Sequence, residues 1–584
     1  MEPAYLGVES SALGHRWVGP DAVRARQAEA IAQATDLSPA VCAVLARVGV
    51  APDEVEAYLS PMLRDLLPDP RSLRDMEQAA ARFLAALTAR ERIAIFADYD
   101  VDGGASAALL TCWLRAMGCE ATLYIPDRID EGYGPNVPAM SDLAAVHDLI
   151  LCVDCGTVSH EAIAAAKGAD VIVLDHHLGG AELPQAHAVV NPNRQDETGD
   201  LGHLCAAGVV FLMLVEANRQ LRGQGQQGPD LMAMLDLVAL ATVADVAPLL
   251  GVNRAFVRQG LKVMARRDRV GLRALADVAR LDTPPAAYHL GFVLGPRVNA
   301  GGRIGAADLG ARLLACEDPH EAAALAERLD QLNTERREIE AGVRAAALAQ
   351  AEARGLEGPL VWAAGTGWHP GVIGIAAARL KEATHRPAIV IGLEGGIGKG
   401  SGRSIPGIDL GAAVQRLVQE GLLEKGGGHR MAAGLTVASE RLDAAMARLE
   451  ELLAQQGAET ARARVLPIDG VLMPAAASVE LIEQLESAGP FGAAVPAPRF
   501  AFPDMSIQSI RRMGESHLRA RFKDRDGTVM EAVAFGAFET GLGALIASTQ
   551  GARLHLAGRL EINHWGGRQT PQLRLDDAAR PDRS

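Results

Sequence analysis

The chain has 584 residues, with 72 Asp and Glu against 57 Lys and Arg and a formal net charge of −15. With 49% hydrophobic and 22% charged residues, it is neither a disordered polyelectrolyte nor a uniformly basic duplex-coating protein, so any nucleic-acid contact has to be local. At roughly 100 to 200 residues per domain the length predicts three or four domains.

Seven cysteines, an odd number scattered through the chain, make a poor disulfide framework and fit a reducing, cytoplasmic setting. The start, MEPAYLGVESSALG, opens with an acid and lacks the basic and apolar regions of a secretory signal. The most apolar window, Leu231 to Val252, carries Asp236 and Asp245, each costing about 2.5 to 3.5 kcal/mol near a bilayer centre. It predicts a buried helix and no membrane partner.

Residues 1–90 mix polar and apolar positions in a helical pattern broken by Pro61, Pro68 and Pro70, and read as an N-terminal extension. From Arg92 the texture changes: the apolar runs RIAIF, EATLYI, DLILCV and DVIVL alternate with Ala-rich stretches such as GASAALLTCWLRAMG and EAIAAAKG. Nearly continuous apolar strands are buried on both faces, which predicts a parallel sheet covered by helices over 91–316. Residues 317–355 are rich in helix formers and predict a long connecting helix. A second α/β domain follows over 356–460, from GPLVWAAG through GGGHRMAAGLTV to the helical pattern Glu440 to Gln456. Over 465–580, HLRARF, VMEAVAF and RLHLAGRLEI alternate like strands with Gly-containing turns, as in a small β-barrel.

Three apolar strands end in acids or histidines: IAIF runs into Asp98, Asp100 and Asp102, LILCV into Asp154, and VIVL into Asp175, His176 and His177. Strand C-termini of an open parallel sheet line one ligand-binding edge, so these groups should converge. A fourth apolar segment, LDLVALATVADVAPL, delivers Asp245. Clustered carboxylates repel unless a cation neutralises them. Asp100 and Asp102, two apart, share a face in extended backbone, and Gly103 and Gly104 let the chain turn into the next helix. With Asp154, one His of the pair and Asp245 they offer donors for two metals about 4 Å apart, the spacing that activates water and stabilises a leaving oxygen in phosphoryl hydrolysis. Oxygen and imidazole donors without thiolates suit Mn²⁺, with Mg²⁺ the alternative. A single Asp after a strand also serves as a helix cap or turn residue, and Asp98 could cap or orient as well as ligate.

DYDVDG (98–103), VDCGT (153–157), LDHH (174–177) and ATVADVAPL (241–249) resemble, in order, the four motifs of the DHH phosphoesterase superfamily. Within it, IPDRIDEGYGPN, GPRVNAGGRIG, WHPGVIGI, KGSGRS and GGGHRMAAG resemble the RecJ family of bacterial single-stranded-DNA exonucleases over nearly the whole chain. The resemblance implies a parallel-sheet DHH domain and a second, DHH-associated α/β domain joined by a long helix, followed by an OB-like β-barrel. It implies metal ligation by Asp100, Asp102, Asp154, His176 and Asp245, with Asp154 as bridge, Asp98 as a further candidate and His177 facing the scissile phosphate. It places Arg303 on phosphate oxygens, with Asn299 beside it in the substrate-binding set, and Arg128 and Tyr133 beside the entering strand. The implied activity is metal-dependent 5′-to-3′ degradation of single-stranded DNA to 5′-mononucleotides in repair and recombination. A RecQ-like helicase and a single-strand-binding protein are the candidate protein partners.

In the second domain GSGR and GGGH read as glycine-rich loops whose N–H groups bind anions; with Ser401, Arg403 and His429 they predict a pocket for the strand's terminal phosphate. GIGKG lacks the Ser or Thr of a P-loop. Cys152 and Cys155 form a C-x-x-C without a second pair and read as core thiols. Phe522 and Phe535 read as barrel core rather than base-stacking platforms, and Trp565, in HWGGR, fits either role. Two departures stand out. Phe96 occupies a place where some superfamily members carry a metal-binding His, and PFGAAVPAPRF has Ala494, Val495 and Pro496 where relatives have Gly-Asn-Pro. Two rival readings are a DHH phosphodiesterase of short oligonucleotides or cyclic dinucleotides, and a non-catalytic repair or replication factor.

Overall fold

Five parallel strands form in the first α/β block: β1 (Ile93–Ala97), β2 (Ala121–Tyr124), β3 (Leu149–Val153), β4 (Asp170–Leu174) and β5 (Ala188–Val190), in the order β2-β1-β3-β4-β5. The computed structural model describes residues 3–128, 131–458, 464–549, 551–565 and 567–581, Trp565 by its backbone alone. β1 and β3 are buried along their whole length, as continuous apolar runs require. Their register is flush: Ala97, Val153, Leu174 and Val190 pair across four neighbouring strands. The next residues, Asp98, Asp154, Asp175 and Asn191, therefore stand in one row at the C-terminal edge.

Helix α1 (Val101–Ala116) leaves that edge and packs against α2 (Ala206–Gly223) and α3 (Leu235–Ala244). The apolar window around α3 is thus a buried helix, so Asp245 arrives at a helix C-terminus, whereas Asp98, Asp154 and Asp175 directly follow strands. Among the described residues no helix is long and apolar enough to cross a membrane.

Helix α4 (Gly295–Ile304) and the 36-residue α5 (Pro319–Arg354) follow. The Asp318 carboxylate caps α5 by accepting from the His320 and Glu321 N–H groups, and Gly355, at φ +97°, ends it. About 54 Å long at 1.5 Å per residue, α5 packs on α4 and on α6 (Pro370–Thr384), linking the two α/β domains. The second domain carries β6 (Val361–Thr366), β7 (Ala388–Glu394), β8 (Ile397–Arg403), β9 (Lys425–His429) and β10 (Ala432–Ala438), in the order β9-β10-β8-β7-β6. This sheet corrects the reading of GSGR and GGGH as loops: both are strands, β8 and β9, flanking β10 in antiparallel ladders. Their glycines serve packing, since a Cβ at Gly402 would lie 2.7 Å from Leu410 Cδ2 and one at Gly428 2.3 Å from the Ala432 carbonyl oxygen.

Both α/β domains fall in one compact unit, Pro68–Ala247 with Phe256–Ala461; the other comprises Met1–Leu67, Pro248–Ala255 and Arg462–Ser584. In the latter, strands Phe500–Met513, His517–Lys523, Val529–Ala534, Arg568–Ala579 and Arg553–Trp565 pair in that order, and the first also pairs with the last, closing a barrel. The N-terminal segment is built onto this barrel. His15–Val18 pairs with Arg464–Pro467, and buried Asp577 accepts hydrogen bonds from Ser11 Oγ at 2.6 Å and Trp17 Nε1 at 3.2 Å. Ile31, Val41, Val44 and Leu45 share a core with Phe500, Phe502 and Phe522. Phe522 is core, as read from the sequence; Phe535 is not, being 59% exposed beside His517 and Arg574. The Trp565 side chain lies outside the described atoms.

Candidate metal centre

Asp100 caps α1, its Oδ1 accepting from the Asp102 N–H at 2.8 Å and the Gly103 N–H at 3.1 Å. Glycine at 103 is dictated by how tightly α1 starts against the sheet, because a Cβ would sit 2.3 Å from the Asp98 carbonyl oxygen. In the first turn of α1, Asp102 is buried, and its carboxylate accepts from the Ala206 and Ala207 N–H groups at 2.6 and 2.8 Å. These are the first two residues of α2, so the positive end of that helix holds the carboxylate. Asn299 on α4 uses its side-chain oxygen to accept from the Val101 N–H at 3.0 Å. It thereby holds the Asp100 loop in place.

Asp154 adopts φ +60° at the end of β3, a left-handed conformation that non-glycine residues seldom take and that often marks functional sites. His176 Nε2 lies 3.3 Å from Asp154 Oδ1, 3.7 Å from Asp102 Oδ2 and 3.8 Å from Asp245 Oδ2. Potential ligand atoms fall into three overlapping groups, each within 4.8 Å: Asp98, Asp100 and Asp154; Asp102, His176 and Asp245; and Asp154, His176 and His177. The sequence-predicted ligands are therefore all brought together. Asp98 joins them, supplying a carboxylate two residues beyond Phe96, which is buried and stacks on Tyr124.

Asp175 and Tyr133, and Asn191 and Asn193, which the sequence reading left out, hold this cluster in place. Asp175 Oδ1 accepts from His177 Nδ1 at 2.8 Å and from the His176 N–H at 2.7 Å, and its Oδ2 accepts from the Thr157 N–H. Asn191 and Asn193 donate to the carbonyls of His177 and His176 at 2.8 and 2.6 Å. The N-P-N that follows the short AVV run was the available signal. The Tyr133 hydroxyl donates to the Asp154 carbonyl at 3.1 Å and lies 3.1 Å from His177 Nε2, while its ring stays largely exposed.

Burial first, and mutual repulsion second, drive the Asp98 and Asp154 carboxyls well above the usual range. Burial raises Asp102 too, opposed by His176, and burial with the charges of Asp102 and Asp100 lifts Asp245 to about 8. Asp175 goes the other way: burial would raise it, but its bonds to His177 and Thr157 hold it low. Burial would lower His177, yet Asp175, Asp245 and Asp98 carry it up to about 9. Asp98 Oδ1 and Asp154 Oδ1 are buried and make no hydrogen bond among the described residues. Orphaned oxygens in a frustrated carboxylate cluster, with an imidazole and no thiolate, fit hard divalent cations.

Beside the acids lies a cationic pocket. Arg303, at the end of α4, donates to the Gly371 carbonyl at 3.2 Å. Burial lowers its pKa to about 10, with Arg128 and Arg336 adding to the effect. Burial and then Arg128 also lower Arg403 and His369. Arg403 donates to Ser401 Oγ at 3.0 Å, and Arg128 sits 5.2 Å over the Tyr99 ring. Buried cations that disfavour one another make an anion site. His429 is exposed and lies in the same cross-strand row as Arg403, two strands away, or roughly 10 Å at the usual strand spacing. Arg336, His369 and Tyr99 were missed because they come from segments far apart in the chain.

Residues 92–242 match the family model described as the DHH family N-terminal domain, 357–455 the DHHA1 domain, and 468–577 the RecJ OB domain. The chain is 38% identical over 539 residues to the single-stranded-DNA-specific exonuclease RecJ of Dickeya dadantii, covering 88% of this chain and 92% of that one. It is 34% identical to the protein of the same name from Bacillus subtilis, of whose length it spans 64%. The structure superposes on Thermus thermophilus RecJ in complex with Mn²⁺ with a TM-score of 0.80 at 30% identity, covering 97% of this chain and 80% of that one. The same protein in complex with Mg²⁺ gives a TM-score of 0.74 at 29% identity, covering 97% and 79%.

Proposed function

The chain belongs to the RecJ family of single-stranded-DNA-specific exonucleases and is a metal-dependent exonuclease of single-stranded DNA; from that premise we propose how its residues divide the work. Asp98, Asp100 and Asp154 would hold one Mn²⁺ or Mg²⁺ ion, and Asp102, His176 and Asp245 a second, with Asp154 next to His176. When bound, the two cations polarise the phosphoryl oxygens and favour deprotonation of the attacking water. The N-termini of α1 and α2 hold the Asp100 and Asp102 carboxylates in place through backbone N–H groups. His177, aligned by Asp175, presents Nε2 to the scissile phosphate as a hydrogen-bond donor, in the place the Tyr133 hydroxyl takes in the free protein. Arg303, Arg403, Ser401 and Arg128 receive the strand's terminal phosphate, with His429 at the rim and Asn299 holding the acidic loop.

A terminal phosphate held beside the cluster makes cleavage sequential from the 5′ end and releases 5′-mononucleotides. The barrel is of a class that binds single strands, which favours long strands over dinucleotides. A helicase of the RecQ kind and a single-strand-binding protein would supply the strand during repair and recombination. A cytoplasmic setting agrees with the seven free cysteines.

The observation that carries this reading is the pair of buried, unbonded oxygens on Asp98 and Asp154 within a converging acid and imidazole cluster. The test uses purified protein, Mn²⁺ and strands labelled at either end, single or duplex. Release of the 5′ label as mononucleotide from single strands is expected; release from the 3′ end would overturn the polarity, and unchanged turnover in Asp154→Ala the site.

A further inference from the structure

Helix α3 ends at Asp245, and the chain then does something costly. Val246 takes φ +59° and is 70% exposed. The Val246 N–H donates to the Val243 carbonyl and the Ala247 N–H to that of Thr242, so Val246 holds the left-handed position after a helix that glycine usually fills. A β-branched residue there is strained, and this one recovers little by burial.

A second exposed apolar group lies against the same helix end. Leu290–Leu294 forms a π-helical turn immediately before α4. Its Leu290 and Leu294 are buried, while Phe292 is 71% exposed. The turn docks on the last turn of α3: a Cβ on Gly291 would lie 3.3 Å from Val243 Cγ1, and one on Gly295 3.3 Å from Ala244 Cβ. Val243 is two residues, about 3 Å of helix rise, from Asp245. Phe292 stacks on Tyr288 with ring centroids 5.1 Å apart and planes 24° from parallel. Tyr288 is in turn edged by His289, which is anchored by accepting from the Ala286 N–H at 3.0 Å. Exposed apolar groups gathered at one place, on a π turn of the kind common at functional sites, mark a contact surface.

Building on the exonuclease reading, we propose that Phe292, backed by Tyr288 and flanked by Val246, is a stacking platform for a nucleobase of the strand next to the metal cluster. The occupant follows from continuity: Val246 directly follows the Asp245 ligand, and the Phe292 turn, docked on the last turn of α3, runs straight into α4, the helix that carries Asn299 and Arg303. A flat ring face matches any base regardless of sequence. It also matches only a base that has left its duplex stack, so the platform selects for single strands at the point of cleavage.

The test scans one abasic residue through the first several positions of a single strand and measures kcat/KM with wild-type protein, Phe292→Ala and Phe292→Trp. With wild type, one position should cost roughly 5- to 150-fold, the value of one base–aromatic stack. Phe292→Ala should lose that factor on the intact strand and show no further loss at that position, while Phe292→Trp restores the wild-type profile. Because the ring is mostly exposed, unfolding temperatures of all three should agree. An abasic profile in Phe292→Ala identical to that of wild type overturns the platform and leaves the patch to a protein partner. Wild-type protein that cleaves no strand overturns the exonuclease reading itself, a separate outcome.

Discussion

The acidic edge of the first domain and the cationic pocket beside it are both incomplete, but in opposite senses. At the edge, four carboxyls rise above their usual range because burial and one another disfavour their charge. In the pocket, Arg303 and Arg403 fall for the mirror reason. One region needs cations and the other an anion, and a metal-loaded site with a phosphate satisfies both. The edge is built from a flush row of strand ends, whereas the pocket is assembled from residues as distant as Arg128, Arg303 and Arg403.

The sharpest break of this comparison removes the shared carboxylate. Asp154→Asn should reduce kcat by about 10³-fold or more while the fold persists, since loss of metal-centred charge stabilisation is worth several kcal/mol; titration calorimetry should show Mn²⁺ uptake weakened as well. On the pocket side, Arg303→Gln should raise KM roughly 10- to 150-fold for a strand with a terminal 5′-phosphate, in line with one charge-assisted hydrogen bond. A 5′-hydroxyl strand should show little change, and equal effects on both would remove the phosphate role. Asp175→Asn tests alignment rather than ligation. A loss of about 10- to 100-fold is expected, as for other partners that orient site histidines, and in metal-free protein the His177 titration, followed by NMR, should move down from about 9.

The smallest effect is on stability. Asp245 is raised from the ordinary carboxylate range to about 8, so its contribution is fully present below pH about 4 and is lost as pH rises through about 8. Metal-free protein should therefore lose stability across that window, and Mn²⁺ should raise the melting temperature more at pH 8.5 than at pH 6. An equal rise at both values would show that the acids do not titrate as a frustrated cluster.

The acidic edge was legible because an apolar run ending in an acid states both the strand and the place of its side chain. Asp175 was visible in the same way, but its role as the partner of His177 was not, since that depends on which way the imidazole turns. The glycine runs misled. Local rules read Gly-Ser-Gly and Gly-Gly-Gly as loops, yet cross-strand pairing and the approach of Leu410 made them strands. That Asn299 steadies the Asp100 loop was not legible, because nothing in the chain reveals that the Val101 N–H lies beside it.

By itself, then, the order of residues determined the strands, the helices, the long connector and the acids that had to meet, because hydrophobic periodicity and strand-end chemistry are local properties. Tertiary structure alone decided that the N-terminal segment packs onto the barrel, that Asp245 sits at a helix end, that Arg336 and His369 join the pocket and that Phe292 is left in solvent. Those outcomes depend on packing between segments hundreds of residues apart, where steric fit and the loss of water, rather than neighbouring residues, set the result.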